Sequence, residues 1–130
     1  MFLYDTNIVS ELVRPQPNSG VVDFCRGVST IYLSVITVDE IIFGLTAKQA
    51  PRTMQRIEDF FREQSVILPV TEKIARRAGE LRGRLRIRGQ TRAQADMLIA
   101  ATAQLHQLTV VTRNIKDFQN CDVLCLNPFQ

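Results

Sequence analysis

The chain has 130 residues, 45% of them hydrophobic and 22% charged, with a formal net charge of +3. That is the length of one domain, with enough apolar material for one core. The longest apolar run, Met97–Ala103, is far too short to span a bilayer. No basic stretch precedes the first apolar residues, so neither a membrane protein nor a secreted one is expected, and the cytoplasm is the expected location.

Phe2–Tyr4 reads as a short buried strand followed at once by Asp5 and Asn7. Ile8–Val13 reads as a helix, Pro15 and Pro17 as a break, and Asn18 as the cap of a second helix that runs to about Arg26 and stops at Gly27. Ile31–Val35 is β-rich. Thr37-Val38-Asp39-Glu40 has the form of a capping box, with a helix continuing through Ile41, Ile42 and Leu45. Pro51 suits the first turn of the next helix, whose apolar stripe is Met54, Ile57 and Phe61. Val66–Leu68 is a third strand. Thr71 caps a helix with Ile74, Ala78, Leu81 and Leu85 inward, ended by Gly89. Thr91–Gln94 repeats the capping-box form before a helix burying Ala95, Leu98, Ile99, Thr102 and Leu105. Leu108–Thr112 is a fourth strand, Arg113–Phe118 a loop or single turn, and Val123–Cys125 an edge strand. Strands that alternate with helices, without hairpin signals, predict an α/β fold. A parallel sheet of four to five strands is covered on both faces, in one domain over residues 1–130.

Four acids stand out. Asp5, Glu40 and Asp117 each follow a predicted strand, where open parallel sheets bind ligands. Asp96 lies near a helix amino terminus, in its second turn, and the strand pattern alone does not bring it to that edge; it has to face inward close to the first strand. Each acid also has an ordinary explanation. Asp5 can cap the first helix, Glu40 can close the Thr37 capping box, Asp96 can pair with Arg92, and Asp117 can be a turn residue. If the four converge, their repulsion raises pKa values until a divalent cation relieves it. An all-oxygen ligand set points to Mg²⁺ or Mn²⁺. Such a metal can activate water and stabilise a phosphoryl oxygen, so phosphodiester hydrolysis is the chemistry suggested. Cys25, Cys121 and Cys125 form no C-x-x-C pair and His106 stands alone, so neither a zinc finger nor a Cys–His nucleophile has local support.

Asp5-Thr6-Asn7, Thr37–Glu40, Ala95–Ala103, and Thr112-Arg113-Asn114 with Asp117-Phe118 together resemble a PIN-domain ribonuclease, and more narrowly the VapC-type toxins of bacterial type II toxin–antitoxin pairs. The resemblance spans essentially the whole chain. It implies a three-layer α/β/α sandwich and Mg²⁺- or Mn²⁺-dependent endonucleolytic cleavage of RNA, with transfer RNA a frequent target. It assigns catalysis and metal binding to Asp5, Glu40 and Asp96, with Asn114 or Asp117 completing the site and Thr6, Asn7 and Thr112 orienting ligands or water. It also implies a VapB-like antitoxin, DNA contact only through that antitoxin, and a homodimer.

Half of the 16 basic residues fall between Lys73 and Arg92, offset there only by Glu80. Arg82, Arg84, Arg86 and Arg88 are candidates for holding an RNA backbone; the alternative is a solvated helix face. Two other readings keep the acids but not the cleavage. One is a non-catalytic PIN-like module that binds RNA or a partner. The other is a receiver-like phosphoacceptor, which needs an acid pair after the first strand and an aspartate after the third; Val66-Ile67-Leu68-Pro69 supplies none.

Overall fold

A computed structural model describes residues 1–130. The elements in chain order are β1 (Phe2–Tyr4), α1 (Thr6–Leu12), α2 (Ser19–Arg26), β2 (Ile31–Ser34), α3 (Val35–Ala47), α4 (Pro51–Gln64), β3 (Ser65–Leu68), α5 (Glu72–Ile87), α6 (Gln94–His106), β4 (Thr109–Val111), a 3₁₀ turn (Ile115–Phe118) and β5 (Cys125–Leu126). The strands form one sheet in the order β3-β2-β1-β4-β5, and all neighbours are parallel.

Side chains alternate across the sheet and so build two separate cores. Leu3 and Val110, paired across β1 and β4, face one layer with Ile74, Ala78, Leu81 and Leu85 of α5 and Met97 of α6. Tyr4 and Val111, one residue further on, face the other layer with Ile8, Val21, Ile57, Phe60 and Phe61. The result is the expected three-layer α/β/α sandwich. Phe60 and Phe61 are therefore core residues, whereas Phe43 is 73% exposed.

Several local signals act as read. Asn18 accepts from the Gly20 and Val21 amides to cap α2, Thr71 caps α5, and Pro51 opens α4. Gly89 takes φ +80° just past α5, a conformation that favours glycine. Both capping boxes fail. The strand β2 passes directly into α3, so its last residue, Ser34, is the cap and accepts from the Ile36 amide. Thr37 is then a buried residue of the first turn, and Glu40 lies in the second. Helix α6 begins at Gln94 with no side-chain cap, leaving Thr91 outside and Asp96 in the first turn rather than the second. Its buried set is Met97 and Ile99–Ala103, while Ala95, Leu98 and Leu105 are half-buried. The helix is packed between the sheet and α5, so more than one face is apolar. The edge strand β5 pairs two residues beyond the start expected for it.

Candidate active site

The strand order leaves β1 in opposite directions, towards β2 on one side and β4 on the other. Loops diverge at such a point and open a crevice beyond the strand ends. Asp5 follows β1 into this crevice and Thr112 follows β4. Asp5 is 5% exposed. Its Oδ1 accepts from the Thr6 amide at 2.8 Å, and its Oδ2 accepts from the Thr112 hydroxyl at 2.8 Å and from Asn7 Nδ2 at 3.2 Å. Thr112 is fully buried, and its Oγ1 accepts from the Asn114 amide at 3.0 Å. That bond leaves the hydroxyl proton for Asp5. Asn7 is itself held by the Arg113 amide, which donates to Asn7 Oδ1 at 3.1 Å. Asp5 also caps α1, so its structural and site readings hold together.

Glu40 is not held by Thr37 in a capping box. The Thr6 hydroxyl donates to Glu40 Oε1 at 2.6 Å, with the buried Thr37 hydroxyl 3.4 Å behind it. Asp96 reaches the same edge for a reason the strand pattern alone does not express. A helix that leads into a parallel strand runs against the sheet direction, so its amino terminus opens at the carboxyl edge. Arg92 is not its ion-pair partner. The guanidinium donates to the Asp117 carbonyl at 2.9 Å and to Gln90 Oε1 at 3.3 Å, tying the loop before α6 to the 3₁₀ turn. Asp117 lies half-buried in that turn and Asn114 is exposed just before it. Read from sequence, Thr37 has a capping role only and Arg92 can pair with Asp96; the hydroxyl of Thr37 instead lies behind Thr6 at the site, and Arg92 holds the Asp117 carbonyl.

Electrostatics binds these pieces into one site. Burial pushes Asp96 up to about 6, and the negative charges of Asp5, Asp117 and Glu40 add to the rise, opposed by Arg92. Burial likewise raises Asp5, with Glu40 adding to it, against the hydrogen bonds from Thr112, Thr6 and Asn7. Asp96 therefore feels the charge of the other three acids, and Asp5 feels that of Glu40. No three His, Cys, Asp or Glu side chains are set to hold one ion as a closed cage. Asp5 and Asp96 could offer the one or two carboxylates with which Mg²⁺ is usually held among several waters, and Glu40 is a further oxygen donor tied to Thr6 beside Asp5. The cysteines are unpaired, and His106 ends α6 on the surface.

The arginine-rich stretch is only partly neutralised by carboxylates, and Arg82, Arg86 and Arg88 form no ion pair. Arg76 pairs with Glu72, Arg77 with Glu80 and Asp122, and Arg84 with Glu80. Arg82 sits beside Gln94 and Met97 at the start of α6. The largest cavity, about 580 Å³, lies between α2 and α4 against Cys25 and Phe60 and contains none of the acids. A smaller one, about 280 Å³, has Glu40 in its wall.

Known proteins resemble this chain in sequence and fold. The PIN domain family matches residues 2–124. The toxin FitB of Neisseria gonorrhoeae is 38% identical over 142 aligned positions, covering 99% of each chain. The VapC ribonuclease Y4jK of Sinorhizobium fredii is 30% identical, covering 100% of this chain and 99% of its own. Among solved structures, VapBC2 from Rickettsia felis bound to a promoter DNA fragment superposes with a TM-score of 0.86 at 25% identity, covering 97% of both chains. Acids gathered at the β1/β4 crevice, the parallel three-layer fold and a family match along nearly the whole length lead to one conclusion: the chain belongs to the PIN domain family.

Proposed function

We propose that this protein is an endoribonuclease that hydrolyses RNA phosphodiester bonds with Mg²⁺ or Mn²⁺, acting through one nuclease domain as the toxin of a toxin–antitoxin pair. One observation carries the reading. Burial, with the negative charge of Asp5 next in weight, holds Asp96 up to about 6 against Arg92, while Thr112, Thr6 and Asn7 orient the Asp5 carboxylate. The names and assemblies of the relatives support RNA as substrate and an antitoxin as partner.

Asp5 and Asp96 would hold the metal, with Asn114 or Asp117 completing its surroundings. The bound cation would supply an activated water and neutralise charge on a phosphoryl oxygen. Thr112 and Asn7 fix the Asp5 carboxylate, and Thr6 fixes Glu40. Glu40 orients the attacking water and receives its proton. Attack of that water on phosphorus, with departure of the 3′ oxygen, leaves 5′-phosphate and 3′-hydroxyl ends. Arg82, Arg86 and Arg88, which have no carboxylate partner, together with the weakly paired Arg84, steer the RNA backbone. An antitoxin of the VapB type would carry any DNA contact. The exposed apolar residues Val35, Phe43, Val66 and Ile67, the last two on the open edge strand β3, offer a surface for a second copy. No helix is long and apolar enough to cross a membrane.

The test is purified protein with total RNA and Mn²⁺, with 5′ ends sequenced for wild type and Asp5→Asn. Cleavage by wild type alone, abolished by EDTA, is expected. Cleavage that survives EDTA, or products ending in 2′,3′-cyclic phosphate, overturns the reading.

A further inference from the structure

We infer that the cavity beside Glu40 binds one nucleobase of the RNA strand, next to the phosphate that is cut. This rests on the ribonuclease reading and adds the part of the substrate that the chain reads. The cavity, about 280 Å³, lies between α1, α3 and the start of α4. It sits at the lower bound of small-molecule pockets, enough for one heterocycle and too little for a peptide helix.

Three features point to a nucleotide. First, Glu40 belongs to both places. Glu40 lines the cavity and its carboxylate accepts from Thr6, the residue after Asp5, so an occupant lies beside the catalytic edge. Second, Gly44 lines the cavity from the middle of α3. Glycine weakens a helix interior, and nothing in the fold asks for it here: a Cβ at Gly44 would meet no atom within 4 Å. Its absence of a side chain keeps this space open. Third, the lining matches a nucleotide. Ile41 and Leu45 give an apolar interior, Ser10 and Thr53 supply hydroxyls for a base edge, and Lys48 stands exposed among them. Lys48 has no ion-pair partner, so its ammonium is free for the adjoining phosphate. Single-stranded RNA is read in this way, with a base turned out into a pocket and its edge hydrogen-bonded.

The experiment fills the cavity. Gly44→Met adds a flexible side chain with better helix propensity. Gly83→Met makes the same change on α5, also in open space, and is the control. Binding of labelled oligo(A), oligo(C), oligo(G) and oligo(U) is measured in an Asp96→Asn background, and kcat, KM and cut-site sequence in the active protein. Gly44→Met should weaken binding of the preferred oligonucleotide and raise KM about tenfold, with kcat held within about threefold. It should also erase the base preference at one position beside the cut, with the melting temperature no lower. Gly83→Met should change none of these. Wild-type binding and base preference in Gly44→Met overturn the inference, and a Gly44→Met protein that cleaves normally but no longer binds an inhibitory protein partner assigns the cavity to that partner instead. If Gly44→Met melts lower, Thr53→Val, which removes only the hydroxyl, decides: unchanged base preference there also overturns it. A wild type that cleaves no RNA with Mn²⁺ refutes the ribonuclease reading; cleavage with identical KM in wild type and Gly44→Met refutes the cavity alone.

Discussion

Helix α5 spreads its cations along a solvated surface, whereas the crevice at β1 and β4 gathers carboxylates into partial burial. On α5, Arg76 and Glu72 meet at 2.7 Å with both side chains about four-fifths exposed (78% and 80%). Glu80 is drawn below its usual range by its hydrogen bond from Arg77 and the charge of Arg84. The carboxylates of α5 are paired within a turn, and the remaining cations stay in solvent. In the crevice the direction reverses: Asp96 and Asp5 are both raised, and Arg92, whose charge opposes the rise of Asp96, donates to a backbone carbonyl. The acids are held by hydroxyls and amides, which orient a carboxylate, and the one opposing guanidinium charge, that of Arg92, does not offset burial and repulsion at Asp96.

The contrast breaks most sharply at the acids. Asp5→Asn or Asp96→Asn should lower kcat by about a hundredfold to a thousandfold, while metal-free Asp96→Asn melts no lower than wild type; a clear drop in its melting temperature would return Asp96 to a structural role. Thr112→Val comes next. It removes the hydroxyl that donates to Asp5 at 2.8 Å, and kcat should fall about tenfold to a hundredfold, measured beside a circular dichroism spectrum that stays native.

Metal itself gives a smaller, purely thermodynamic effect. Mn²⁺ at about 100 times its Kd should stabilise the wild type by about 2.7 kcal/mol, read as a rise in melting temperature that EDTA reverses and that Asp96→Asn loses. Acidity should do part of the same work. The native state keeps the Asp96 proton up to about pH 6, whereas the unfolded chain releases it near its ordinary value of 3.8. Between these values the native state binds more protons, so metal-free stability is full below about pH 4 and falls as pH rises through 6. Allowing for solvent screening at a half-exposed group, the loss is about 1 kcal/mol, and denaturant titrations of Asp96→Asn should show the slope flattened. The smallest effect belongs to α5. Arg76→Ala should leave the melting temperature within about 2 °C of wild type; a larger shift would mean that the surface pair matters more than its exposure allows.

How far the sequence reveals this molecule depends on the range of each interaction. Asn18, Pro51, Thr71 and Gly89 act on backbone within a few residues and were legible as caps and stops. The burial of Ile74, Ala78, Leu81 and Leu85 was legible because one face of α5 repeats at helical spacing. Thr37 and Thr91 misled because a hydroxyl three residues before Glu or Gln looks the same wherever the helix starts. The end of β2 sets that start for α3, making Ser34 the cap. Packing between two layers hid the phase of α6 in the same way.

The amino-acid order alone determined the alternation of strands and helices, the parallel α/β class and the identity of the acids, because apolar periodicity and turn chemistry are local. Tertiary structure alone decided that Thr6 reaches Glu40 across 34 residues and Thr112 reaches Asp5 across 107. It also decided that α6 opens at the edge where β1 ends. Those contacts depend on strand order and helix direction, which emerge only when both faces of the sheet are covered.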